Sequence, residues 1–456
     1  MYKFLNKNYL YVVEDIMIDF KEYFLKNKEN IVKNIIDFIA IPSVLEENPD
    51  CVEAPFGKAN VDALNFILDL GKSMGFETLN CDNVCGHIEY GEGDEVFGIL
   101  CHSDVVPAIG DWDKDPFFGY VKDGKIYGRG SSDDKGPAIV SLYALKALKD
   151  NNIKVNKKIR LIIGTDEESG SRCVKRYFEK VGMPDLGISP DAEFPIIYGE
   201  KGMMTLDLVG SNNDKNLVCA TGGARYNIVA PEARVKYNKN IDEVMLGDNI
   251  VFDGEYVSIG KSAHAMEPRN GVNAIVKMCE KLANVSNNNL VKFIAEGLYD
   301  SRLGSLGLAY HTDEMGDMTM NVGLLTIDSK ESRVGLNIRY PKGFDSKAFL
   351  EVFGRICKEY KLKVEVKSLS EPHYVDPNCD FIKTLYESYV KYTNDYAPLK
   401  TIGGGTYARS MKMAVAYGTL FPNEPEMAHE TNEYVDIDNL LKAGAIIADA
   451  TYNVCK

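Results

Sequence analysis

Two short, nearly unbroken apolar runs constrain this chain more than any other feature. FGILC (97–101) and IRLIIG (159–164) are flanked by polar residues, and KGPAIVSLYALKALKD (135–150) lies between them and reads as a helix from about 136 to 150. Strand, helix, strand is the grammar of an α/β layer with a mostly parallel sheet flanked by helices. The first run does not end as an ordinary core strand would. It continues into His102, Ser103 and Asp104 before Val105, Val106 and Pro107. Polar groups buried at a strand end are costly without partners, so His102 and Asp104 must face something.

A chain of 456 residues is too long for one core, and two domains are expected. Apolar residues at helical spacing (Ile31, Ile35, Phe38, Ile39) predict a helix within 17–40, and a second runs over 60–74, closed by Gly75. Near residue 200 the texture changes. MMTLDLVG, VFDGEYVSIG and RVGLNIRYP alternate like strands of a half-solvated sheet, with helical runs near 271–285 and 345–360. After EPHYVDP the earlier pattern resumes, with helices over 380–393 and 436–450. The expected organisation is one domain, 17–199 with 373–456, interrupted by an inserted α+β domain over 200–372. Residues 1–16 read as a poorly packed extension, and Met17 is an alternative start of translation.

The formal net charge of −15 argues against nucleic acid or an anionic membrane as partner. No stretch reaches the roughly 18 apolar residues of a membrane span, and no cleavage site follows the N-terminal apolar patch. The ten cysteines have no metal-finger spacing; Cys81 and Cys85 form a C-x3-C pair without a second pair. Reduced thiols in a cytoplasmic protein are expected.

Five acidic or histidine clusters sit at the ends of predicted strands or in the turns after them: CHSDVVP (101–107), YGRGSSDDKGP (127–137), GTDEESGS (164–171), SPDAEFP (189–195) and MAHETNE (427–433). Each alone has an ordinary explanation as a turn, a cap or a satisfied histidine. Together, on the edge of an α/β sheet where ligands bind, they indicate a site. Histidine and carboxylate without cysteine suit zinc, manganese or cobalt, and a shared carboxylate can bridge two ions.

The motifs H-x-D-V-V-P, G-R-G-x-x-D-D-K-G, D-E-E-S-G, P-D-A-E-F-P and A-H-E-x-x-E, in this order, resemble the M20 metallopeptidases of the aminoacylase/carboxypeptidase G2 clan, most of all the PepV-like dipeptidase branch. The resemblance covers nearly the whole chain beyond residue 17. It implies a two-metal centre, zinc first and manganese or cobalt as alternatives. Asp133 would bridge the ions, His102 and Asp191 would complete one, and Glu168 and His429 the other. Glu167 would be the general base, and Asp104 would orient the His102 imidazole. It further implies a cis peptide bond between Asp133 and Asp134.

The inserted domain would be a lid of two similar lobes. GKSAHAMEP matches the motif that supplies an oxyanion donor, which places His264 in that role. Asn227 and Arg339 match lid residues that grip the substrate. Gly403, Gly404 and Gly405 either form a flexible turn or let backbone N–H groups approach a substrate carboxylate. A free substrate amine needs a negative partner, for which Asp134 is one candidate. The enlarged lid implies a monomer in which His264 acts within its own chain.

The expected function is hydrolysis of unblocked dipeptides by a metal-activated water. The rival within the clan is an N-acyl-amino-acid deacylase. The rival outside enzymes is a non-catalytic metal-binding protein on a decayed fold, which would be expected to lose ligands or base; here all are present.

Overall fold

The computed structural model describes residues 19–247 and 249–456. The expected extension and the alternative start at Met17 lie outside the described residues.

A nine-stranded sheet organises the metal-binding motifs. At its centre Lys158–Gly164, Val96–His102, Leu186–Ser189 and Ala414–Ala416 run parallel to one another, while Glu77–Cys81 and Cys85–Tyr90 form an antiparallel edge. The other edge holds Ile197–Glu200, His373–Tyr374 and Lys400–Ile402. The central strands are apolar on both faces because both faces are covered. Phe97, Ile99, Leu100, Leu161, Ile162 and Ile163 are all fully buried. Helix Lys135–Asp150 is buried along most of its length, and the last helix, Ile437–Cys455, packs against it. The four parallel strands all end on one edge, and His102, Asp166 to Glu168 and Asp191 lie at those ends or just beyond them. Asp133 and Asp134 immediately precede the first turn of helix Lys135–Asp150.

A second, eight-stranded sheet is antiparallel throughout, in the order Ile250–Phe252, Tyr256–Ile259, Glu232–Tyr237, Leu217–Gly222, Thr319–Ile327, Glu331–Tyr340, Gly202–Ser211, Lys363–Ser370. Along Gly202–Ser211, Met204, Leu206 and Leu208 turn into a core shared with helices Ala274–Leu282, Asn289–Gly297 and Ser346–Glu359. The chain passes from the first sheet to the second at Lys201 and returns at Glu371–Pro372.

Two expectations need correction. The helix foreseen within 17–40 is two, Phe20–Lys26 and Lys28–Ile39. Asn27 breaks it by donating its side-chain amide to the Tyr23 carbonyl, which competes with the backbone ladder. VFDGEYVSIG is a hairpin rather than one strand, because Gly254 at φ +70° lets the chain reverse after Asp253.

Candidate metal centre

Two groups of ligand-type side chains meet at the edge of the parallel strands: His102, Asp133 and Asp191, then Asp133, Glu168 and His429. They share Asp133, which turns one oxygen to each group. Its Oδ1 lies 2.9 Å from His102 Nε2, and its Oδ2 lies 3.0 Å from His429 Nε2. Asp191 Oδ2 is 3.4 Å from His102 Nε2, and Glu168 Oε1 is 3.0 Å from His429 Nε2. Ligands at about 2.0–2.2 Å from one ion stand about 3–3.5 Å from each other, so these spacings suit shared ions.

The residues present fit metal on two further counts. Among the described residues His102 Nε2 and Asp133 Oδ1 are buried without a hydrogen-bond partner, an expensive state unless something else satisfies them. The pocket also carries surplus negative charge. Burial, then the Asp191, Glu168 and Asp133 carboxylates, push Glu167 well above the ordinary carboxyl range, against the pull of His102. Burial and Asp133 raise Glu168 to about 7, with His429 opposing, and the same two causes raise Asp191. Four carboxylates against two imidazoles are a site that divalent cations would relieve.

Buried carboxylates hold the backbone that carries the ligands. Glu433 is fully buried; its Oε1 accepts from the N–H groups of Gly130, Ser132 and Asp133 (3.1, 2.8 and 3.2 Å), and its Oε2 takes Arg129 Nη1 at 2.7 Å. Arg129 in turn donates to the carbonyl of His429, so one ion pair ties the Asp133 loop to the His429 loop. Asp166 accepts from Ser169 Oγ and from the backbone and guanidinium of Arg172, which shapes the turn bearing Glu167 and Glu168. The Asp133–Asp134 peptide bond is cis.

Asp104 meets the His102 imidazole mainly through its backbone. His102 Nδ1 donates to the Asp104 backbone carbonyl at 3.0 Å, while the nearer carboxylate oxygen stands 3.5 Å away. A carbonyl can only accept, so Nδ1 carries the proton and Nε2 presents its lone pair to the pocket. The carboxylate is occupied elsewhere, accepting from the N–H groups of Glu167 and Glu168 at 3.2 and 3.1 Å. Asp134, a candidate partner for a substrate amine, braces the His102 backbone with one oxygen, while the other meets no hydrogen-bond donor among the described residues. It is fully buried and accepts from the backbone N–H of His102 at 2.9 Å.

The eight-stranded sheet assembles a second set. Segments 227–229 and 263–265 pair, with Asn227 O accepting from Ala265 N and Ala263 O from Val229 N. Ile228 is therefore the residue opposite His264, and Asn227, opposite Ala265, stands one register step away. Buried Asn321 fixes this loop by donating to the carbonyls of Tyr226 and Ile228. His264 is exposed and belongs to neither ligand group; desolvation by the surrounding chain, then Arg339, lower its pKa. Arg339 is buried, and its guanidinium donates to the Gly403 carbonyl at 3.2 Å. The glycine turn is tightly enclosed. A Cβ on Gly403 would come within 2.8 Å of the Met266 Cβ, and one on Gly405 within 2.3 Å of Arg409 Nη1. Gly404 is open by comparison, with only Ile402 Cδ1 at 3.7 Å.

Glu433, Asp166, Asn321 and Arg409 were missed from sequence. Two of them lay inside motifs already singled out, Asp166 as the first residue of D-E-E-S-G and Glu433 as the last of A-H-E-x-x-E.

Residues 98–453 match the family described as peptidase family M20/M25/M40. A Staphylococcus aureus (strain MW2) protein named "Putative dipeptidase" is 39% identical, over 95% of this chain and 99% of its own length. A Staphylococcus haemolyticus (strain JCSC1435) protein of the same name is 38% identical over the same shares. Among solved structures, human carnosine dipeptidase 1 is similar with a TM-score of 0.61 at 14% identity, over 95% of this chain and 98% of that one. The dipeptidase Dug1p of Saccharomyces cerevisiae follows with a TM-score of 0.60 at 15% identity, over 95% and 97%. At such identities these structures speak for the fold alone, a mixed α/β architecture shared across nearly the full length. The likeness to the staphylococcal sequences goes further, and with the family match it leaves one assignment: the chain belongs to peptidase family M20/M25/M40.

Proposed function

We propose that the chain is a two-metal dipeptidase that hydrolyses the peptide bond of unblocked dipeptides. The observation that carries this reading is Asp133, whose two oxygens face two separate ligand groups. The names of the staphylococcal relatives support the substrate class. Asp133 would bridge, with His102 and Asp191 on one ion and Glu168 and His429 on the other. Zinc, manganese or cobalt bound there would supply Lewis acidity and a water of lowered pKa.

The chain's own groups do the rest. Glu167, among the ligands but in neither group, takes the proton of the attacking water and returns one to the leaving amine. Asp104 keeps Glu167 and Glu168 at fixed depth through their backbone N–H groups. His264 donates to the developing oxyanion from segment 200–372, which acts as the lid, and Asn227 of the same segment grips the substrate. Arg339 and the N–H groups of Gly403, Gly404 and Gly405 receive the substrate's C-terminal carboxylate. The existing Arg339–Gly403 contact supports this, because it brings both parts of that receptor together. His264 acts in its own chain, as a monomer. Ten free cysteines support a reducing, cytoplasmic setting.

The test is a hydrolysis panel of dipeptides, their C-terminal amides, tripeptides and N-acetyl amino acids, run with each metal and after chelation. Free dipeptides should be cleaved best, chelation should abolish turnover, and active protein should hold two ions. A charge-assisted contact is worth about 1.5–3 kcal/mol, so the amides should lose roughly ten- to a hundredfold in kcat/KM. Faster turnover of N-acetyl amino acids than of any dipeptide would instead identify a deacylase, and one ion or none at saturation would remove the two-metal mechanism.

A further inference from the structure

The glycine turn is attached to both points at which the chain passes between the two sheets. On the outgoing side, Lys400–Ile402 lies beside Ile197–Glu200 in parallel register, and Lys201 N donates to the Ile402 carbonyl at 3.0 Å. Immediately after the turn, Thr406 Oγ1 donates to Glu200 Oε1 at 2.6 Å. Glu200 is the last residue of its strand and is buried, and its other oxygen has no partner among the described residues. On the return side, Arg409 reaches the second crossing, donating from Nη2 to the Glu371 carbonyl at 3.0 Å and to Ser370 Oγ at 3.4 Å. Its Nη1 lies against Gly405 and is buried without a partner. A cavity of about 380 Å³ opens beside Arg409, lined among others by Glu371, His373 and Lys412, so little else braces the guanidinium there.

Residues flanking one turn, Ile402 and Thr406 on the outgoing side and Arg409 on the return side, therefore grip the two crossings about which segment 200–372 would have to swing. The turn itself is touched from that segment by Arg339 and Met266. A burial-driven preference for the protonated form raises Glu200 to about 7, with Thr406 and Arg409 opposing, so the carboxyl is kept inside at a cost that packing alone does not explain.

We infer that Glu200 and Arg409 are positioning residues that lock the glycine turn to the two crossings, so that a carboxylate seated in the turn favours the closed arrangement of the lid. The inference rests on the carboxylate-binding role proposed above for that turn. Neither residue touches the reacting atoms. Their effect is to make selection for a free C-terminus depend on the crossings.

The test compares a dipeptide with its C-terminal amide in the metal-loaded wild type and in Arg409→Met, Glu200→Ala and Glu200→Gln, with thermal unfolding and metal content measured for each. Arg409→Met and Glu200→Ala should raise KM for the free dipeptide about tenfold, more than for the amide, so that the acid-to-amide ratio of kcat/KM shrinks. Glu200→Gln, which keeps an acceptor for the Thr406 hydroxyl, should recover most of that ratio. A wild type that discriminates, with folded, metal-loaded variants that discriminate equally well, would overturn the inference and leave the dipeptidase reading standing. A wild type that cleaves acid and amide alike would overturn the carboxylate receptor, and this inference with it.

Discussion

The two halves of the site are built by opposite means. The ligand half hangs from the ends of parallel strands, and buried carboxylates pin its backbone: Glu433 under the Asp133 loop, Asp104 under Glu167 and Glu168, and Asp166 inside their turn. The half on the eight-stranded sheet relies on loop-to-loop pairing, with an exposed His264 and an Asn321 that holds carbonyls rather than charges. Ions that must not shift need a rigid cradle. A donor that must arrive with the substrate needs a support that travels as a unit. Under the lid role proposed for segment 200–372, the difference would separate a part that stays from a part that moves.

The largest expected effect tests the rigid half. Glu167→Gln should keep the fold and both ions while kcat falls by about 10²–10⁴-fold, because the proton carrier is lost and the ligands remain. Full activity with normal metal content would take Glu167 out of the mechanism. Glu433→Ala should strike the same half through its scaffold. It strands a buried guanidinium, and removing one partner of a buried pair costs about 3–5 kcal/mol. Chemical denaturation should show that loss, together with weaker metal retention; a surface-like change below about 1 kcal/mol would mean that the pair does not brace the loop.

The mobile half should respond in rate rather than stability. His264→Ala should cost about 10²–10³ in kcat, the usual effect of losing an oxyanion donor, with little change in unfolding. Mixing it with Glu167→Gln protein should restore nothing if each chain uses its own His264, and recovered activity would reveal exchange between subunits. Small-angle scattering should record a more compact particle with a transition-state mimic bound.

The smallest effect lies at the boundary between the halves. Glu200 has a folded pKa near 7, above the unfolded value of about 4.3. The folded state therefore binds the extra proton, and wild-type stability falls as pH rises from about 4.3 through about 7. Glu200→Gln should flatten that slope, so its advantage over wild type should be greater at pH 8 than at pH 5 in denaturant titrations. An unchanged slope would show that Glu200 is solvated.

Sequence disclosed the rigid half more fully than the mobile one, for a physical reason. Metal chemistry demands His, Asp and Glu at strand ends, and those residue types are conspicuous after an apolar run such as FGILC. The braces are not. Asp166 and Asp104 do their work by accepting backbone N–H groups, and in sequence such a residue is indistinguishable from a solvated turn. Glu433 was quoted within its motif, yet nothing in the string shows that it is fully buried against Arg129. The parallel core was legible from its apolar strands. The second sheet showed its alternation but not its strand order, because register depends on partners far apart in the chain, as where Thr319–Ile327 pairs with Leu217–Gly222. Helix Asn289–Gly297 went unread.

The position of Glu433 in the chain also sets an order of birth. During synthesis His102, Asp133, Glu168 and Asp191 all emerge before the eight-stranded sheet begins, whereas His429 and Glu433 emerge only after it is complete. A nascent chain can therefore gather one trio of ligands early, but on a loop whose brace has not yet been translated. The second trio cannot exist at all until residue 429 leaves the ribosome. Nascent chains stalled before and after residue 433 would differ in whether they retain metal.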